Sequence, residues 1–90
     1  MANQSTIISV YPNLFLNSAT IRIYPAESGE ATLEVCTIQG RQVKQLFNEI
    51  LEVGLSKTFI LNNDRLASGV YIIRLVTKTK SIIQKIILIR

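Results

Sequence analysis

The sequence predicts an all-β domain: a seven-stranded antiparallel Ig-like β-sandwich with Greek-key topology. Three observations carry that prediction. Short runs dense in Ile, Val, Leu, Thr and Tyr recur about every 10 residues, and Pro, Gly, Asn and Ser clusters separate them. No segment repeats its apolar residues at helical spacing. One connection, residues 48–54, has no clean period and ends in Gly54, as expected of a crossing between two sheets.

The elements follow in order. Residues 6–11 form a first strand, which Pro12 and Asn13 end before Leu14, Phe15 and Leu16 return to the core. Asn17 and Ser18 make a turn. Residues 20–24 alternate, with Ile21 and Ile23 inward against Arg22 and Tyr24, until Pro25 and the Glu27, Ser28, Gly29 cluster stop the strand. Residues 31–38 resume the alternation, with Ala31, Leu33 and Val35 inward and Thr32, Glu34 and Cys36 outward. Gln39 and Gly40 suit a tight hairpin turn, and residues 41–47 return antiparallel with Val43 inward. After the crossing, residues 55–61 form another strand, and Asn62, Asn63, Asp64 and Arg65 a polar turn from which Leu66 plugs the core.

Residues 66–75 are the stretch around which the others are organised. Ser68 and Gly69 break the chain, with glycine free to take a positive φ, and residues 70–76 are dense in β-branched and aromatic residues. By the period of two, Tyr71, Ile73 and Leu75 face the core, while Val70, Ile72, Arg74 and Val76 face a partly covered surface. This strand belongs in the middle of a sheet. A basic turn over residues 78–81 leads into the last strand, residues 82–89, with Ile82, Ile86 and Leu88 inward.

Ninety residues, 48% apolar and 18% charged, make one folded domain; residues 1–5 read as a linker and 6–90 as the domain. No apolar stretch reaches the ~18 residues of a membrane helix, so the chain is not expected to span a membrane. The first residues, Met1, Ala2, Asn3 and Gln4, lack the basic and apolar regions of a signal peptide, so any leader lies elsewhere. A lone Cys36 excludes an intrachain disulfide and reads as a small apolar strand residue.

The net charge of +4 is unevenly distributed. Residues 65–90 carry Arg65, Arg74, Lys78, Lys80, Lys85 and Arg90 without an acid, giving +6, whereas residues 1–64 carry four bases and six acids, giving −2. Solvated strand faces and charged guards on a sticky last strand account for such a basic end. A docking surface for an anionic partner is the functional alternative. Nucleic acid is the weaker version of that reading and is not the expected partner, because the bases are dispersed and not interleaved with aromatics.

The chain has no histidine, which removes the usual general base, the Ser-His-Asp and Cys-His arrangements and most zinc sites. Its acids Glu27, Glu30, Glu34, Glu49, Glu52 and Asp64 are scattered, so neither a carboxylate pair nor a calcium loop can be read from spacing. No enzyme activity, metal or cofactor is expected. Without Trp, sugar binding would fall to Tyr11, Tyr24 or Tyr71.

Three motifs, in order, resemble the type A C-terminal sorting domain of the type IX secretion system of Bacteroidota. Tyr11, Pro12, Asn13, Leu14, Phe15 is similar to that family's Tyr-Pro-Asn-Pro-Phe opening, with Leu14 in place of the second proline. Gly40 and Arg41, followed by Val43, resemble its middle turn, and residues 66–71 resemble its Leu-Ala-Ser-Gly-Val-Tyr segment. Lys85 stands where the family carries a lysine, and Cys36 where it often has an aromatic. The similarity covers residues 10–90.

The resemblance implies a recognition signal without catalysis of its own. It implies a cargo protein on the N-terminal side, recognition by the outer-membrane type IX translocon, and removal by a sortase-like protease. The destination is the cell surface or the medium, with the cargo usually joined to anionic lipopolysaccharide. Met1 at the front of the domain then reads as an added start residue, and the cleavage site lies upstream or within the first few residues. The residues carried over as recognition candidates are Gly40, Arg41, Gly69, Val70, Tyr71 and Lys85. Each has a structural reading too: turn glycines at 40 and 69, a core ring at Tyr71, a solvated hairpin residue at Arg41. Arg41 and Lys85 are the stronger contact candidates. An Ig- or fibronectin-like adhesion or carbohydrate-binding module is the alternative from another class, because one sandwich hosts many functions.

Overall fold

The computed structural model describes residues 6–12, 14–15, 17–62 and 66–89. Eight strands run in the order β1 (Ile7–Tyr11), β2 (Leu14–Phe15), β3 (Ser18–Tyr24), β4 (Gly29–Thr37), β5 (Gln42–Leu51), β6 (Lys57–Asn62), β7 (Gly69–Thr77) and β8 (Ser81–Leu88). They form two sheets, β1-β3-β6 and β2-β8-β7-β4-β5. Seven strands pair antiparallel as the sequence predicts, and the two-residue β2 adds a short parallel pairing with β8, Leu14 opposite Ile87 and Phe15 opposite Leu88. The chain changes sheet on either side of the short β2, and again between β3 and β4, between β5 and β6 and between β6 and β7. This is the Greek-key crossing of an Ig-like sandwich.

The inward residues of both sheets fill one core. Ile21 and Ile23 of β3 and Leu61 of β6 face Leu33 and Val35 of β4, Ile73 and Leu75 of β7, and Ile86 and Leu88 of β8, all fully buried. Leu66 enters this core from outside the strands, as expected. The strand predicted to be central is central: β7 has β4 and β2-bearing β8 on either side in the larger sheet. The core placement expected of Leu14, Phe15 and Leu16 concerns side chains outside the described set. Asn13, Asn63, Asp64 and Arg65 also lie outside it.

Three expectations need correction. Residues 48–51 are the end of β5, paired with β4 from Gly29↔Leu51 upward, so the crossing is shorter than the sequence suggested. Val43 is 45% exposed, not inward. Register shifts between Leu33 and Glu34 and between Val35 and Cys36 leave extra residues on β5, so the alternation that places Phe47 in the core does not carry back to Val43. Cys36 and Glu34 are buried, although their parity points them out of the sandwich. β4 lies between two strands, and the longer neighbours Ile72, Arg74, Gln42 and Gln45 stand beside these two residues in register.

Candidate recognition site

Five of the six recognition candidates meet at one end of the larger sheet. Thr37, the last residue of β4, pairs with Tyr71, and Gly69 pairs with Leu88, so the β4–β5 turn, the start of β7 and the end of β8 come together there. The turn closes through the Gly40 amide donating to the Thr37 carbonyl at 2.9 Å and the Thr37 amide donating to the Arg41 carbonyl at 2.8 Å. The Arg41 amide donates to the Thr37 hydroxyl at 3.2 Å. Gly40 sits at φ +90°, which an L side chain adopts only with strain, so the three-residue turn with a bulge glycine explains why glycine stands there. Arg41 is exposed beside it.

Tyr71 is half-buried and packs against the core from the sheet end, short of the full burial its alternation suggests. Its hydroxyl donates to the Ala67 carbonyl at 2.6 Å. A tyrosine near the start of this strand, bonded back to the chain a few residues upstream, is the tyrosine corner of Ig-like sandwiches. Tyr71 therefore holds residues 67–71 in shape from below, and Gly69, at φ +157°, lets the chain enter β7.

Lys85 lies one rung further in. It pairs with Ile72, which pairs with Cys36, so its side chain is on the outer face of the larger sheet with Val70, Ile72, Ile83 and Ile87. Val70 is 40% and Ile83 61% exposed, which makes this face an apolar stripe with one free cation among the described residues of β8. Three strand spacings separate Lys85 from the Arg41 turn, on the order of 15 Å. Arg74, on the same face, is committed elsewhere: its Nε donates to the Glu34 Oε2 at 3.1 Å, and that hydrogen bond raises the Arg74 pKa further above its ordinary value.

The basic residues contiguous in sequence are spread in space. Lys78 and Lys80 flank the β7–β8 turn at the opposite end of β7 from Arg41, where the Thr77 amide donates to the Lys80 carbonyl at 2.8 Å. Beside that turn the Thr79 hydroxyl donates to Glu27 Oε2 at 2.9 Å. Arg65 and Arg90 lie outside the described residues. A cavity lined by Thr6, Glu27, Glu30 and Lys78 offers about 10 Å³, room for about one water. Among the described residues no three His, Cys, Asp or Glu side chains are grouped to hold a metal, and no helix is long and apolar enough to cross a membrane.

Sequence reading missed two features of this site. The Tyr71 anchor had a legible signal, a tyrosine two residues into a strand after Gly69. The pairing of β2 with β8 had none, because two residues carry no periodicity.

Comparison with known proteins agrees with this architecture. The model of the family described as secretion system C-terminal sorting domain matches residues 9–89. No curated protein matches the chain. Among solved structures, the crystal structure of dimeric latent PorU from Porphyromonas gingivalis is similar, with a TM-score of 0.72 and 19% identity. The match covers 99% of this chain and spans 10% of that one, a likeness of fold.

Proposed function

The chain belongs to the family of secretion system C-terminal sorting domains, the sorting signals of the type IX system, and from this premise we propose how it works. The domain marks a cargo protein on its N-terminal side for passage across the outer membrane to the cell surface or the medium. The outer-membrane translocon recognises the folded sandwich, and a sortase-like protease then removes it. The observation that carries this reading is the family match along residues 9–89. It favours sorting over the adhesion or carbohydrate-binding alternative.

Within the domain, the recognition surface runs from the sheet end that holds the Gly40–Arg41 turn and Val70 along the outer face of the larger sheet to Lys85. Arg41 and Lys85 make the contacts, Val70 adds apolar area, and Gly40, Gly69 and Tyr71 keep the surface in shape. Exposed cations steer an acidic partner and are screened by salt.

The test fuses the domain to a reporter exported to the periplasm of a bacterium with a working type IX system. Arg41→Glu with Lys85→Glu is expected to shift the melting temperature by no more than about 4 °C, as exposed substitutions do, and to abolish surface delivery. Binding of the isolated domain to outer membranes from that bacterium is expected to weaken as salt rises. Equal delivery by the double variant removes both residues from the recognition surface. Failure of the wild-type fusion removes the sorting reading.

A further inference from the structure

The two edges of the larger sheet are built differently. β5 is blunted: two register shifts interrupt its pairing, and Lys44 and Glu49 add charges of both signs along it. Its side of the sandwich is also closed across the sheets. Lys57 of β6 pairs with Glu49 and lies 5.4 Å from the centroid of Phe47, whose ring is 6.0 Å from that of Phe59.

β8, at the other side, carries no bulge and no charges of mixed sign, although β1 of the smaller sheet lies against it without pairing to it. It pairs with β7 in unbroken register from Gly69↔Leu88 to Val76↔Ser81. β2 covers it only at Ile87 and Leu88. Residues 81–85 therefore present one side of a bulge-free backbone with no hydrogen-bonded strand partner among the described residues. Ile82 and Ile83 favour strand pairing, and Lys85 is the single charge. An open strand edge is a template for another chain, and folded proteins normally disguise it.

We propose that residues 81–85 of β8 receive an extended segment of a partner protein as an added strand, with apolar side chains against Ile83 and an acidic one beside Lys85. Backbone hydrogen bonds would supply the affinity and alternate side chains the selectivity, as in other strand-addition complexes. The inference rests on the sorting reading, and it specifies how the partner in that process engages the domain.

Charge decides against a second copy of this chain as the occupant. Residues 65–90 contain six cations and no acid. Antiparallel self-pairing about Gln84 sets the two Lys85 side chains diagonally across the seam, about 7–8 Å apart. Self-pairing about Ile83 sets Lys85 opposite Ser81, next to Lys80 of the other copy. The first register opposes like charges and the second leaves each Lys85 without an acid, which an acidic strand would supply.

Two single variants, Ile83→Pro and Gln84→Pro, test the proposal in the reporter fusion. Successive amides of a strand point to opposite sides, so one proline breaks a bond to β7 while the other removes only an outward donor. The variant that keeps the wild-type melting temperature identifies the second case, and it is expected to lose surface delivery by about tenfold or more, one lost bond plus a steric block to pairing. Wild-type delivery by that folded variant overturns the proposal. If both prolines unfold the domain, hydrogen exchange on the wild-type fusion decides: amides of residues 81–85 are expected to slow about tenfold on addition of outer membranes from the secreting bacterium. Unchanged exchange there overturns it. A purified wild-type domain that elutes as a dimer, and as a monomer with the folded proline variant, assigns the edge to self-association and also overturns it. Failure of the wild-type fusion to reach the surface counts against the sorting reading instead.

Discussion

Replacing Tyr71 with phenylalanine deletes one oxygen and isolates the anchor of the loop ahead of β7. The hydroxyl donates to the Ala67 carbonyl at 2.6 Å, while the ring packs on the core and is retained. A net hydrogen bond contributes about 0.5–1.5 kcal/mol, and a domain of this size loses roughly 4–8 °C of melting temperature per kcal/mol. The variant should therefore melt about 5 °C lower for a loss of about 1 kcal/mol. Tyr71→Ala also removes the ring. Because that ring is half-buried, the cost should fall near the lower end of the 3–5 kcal/mol typical of deleted aromatic rings, about 3 kcal/mol. Urea unfolding followed by far-UV circular dichroism, with the slope checked for constancy, measures both. If Tyr71→Phe is as stable as wild type, the bond to Ala67 contributes nothing and the corner is not an anchor. If it folds normally yet its reporter fusion stays in the periplasm, the hydroxyl is a contact for the translocon and its structural role is secondary.

Two further outcomes follow from the turn glycine and the buried thiol. Gly40→Ala should cost about 1–2 kcal/mol, because φ +90° strains an L residue while no atom within 4 Å would oppose the added Cβ; unchanged urea stability would show that the turn relaxes. Burial pushes the Cys36 thiol above its ordinary value of 9.0, against the opposing field of Arg74 and with a further rise from Glu34. The folded domain thus holds a proton that the unfolded chain releases, so this contribution is complete below the unfolded value and is lost as pH rises through it toward the folded one. Stability should fall more steeply above about pH 9 in the wild type than in Cys36→Ala, measured by urea unfolding across pH; parallel curves would refute the shift.

Much of this architecture was written along the chain. The alternation of Ile21 and Ile23, of Leu33 and Val35, and of Ile73 and Leu75 placed the core, because a strand with one face in a core must repeat apolar residues every second position. Turn chemistry at Gln39 and Gly40 and at Ser68 and Gly69 marked the ends of β4 and the start of β7, since glycine relieves a strain that depends only on the local backbone. The motifs at residues 11–15, at Gly40 and Arg41 and at residues 66–71 pointed to the family for the same reason: each is a short run of near-contiguous residues, visible without a partner strand.

What tertiary structure decided are the properties that depend on which strand lies beside which. Period two predicted Val43 inward, but the bulges that expose it arise from pairing with β4. Glu34 and Cys36 read as surface, yet they are buried because β4 has neighbours on both sides and Arg74 of β7 meets Glu34 in register. The six cations of residues 65–90 read as one basic end, but an antiparallel turn carries Lys78 and Lys80 the length of β7 away from Arg41, and on the outer face Arg74 is taken up by Glu34 while Lys85 stands among apolar residues of β8. The open edge of β8 follows from sheet order alone. No residue type announces it, since a strand's own sequence sets its faces and only its neighbours set whether its backbone is satisfied.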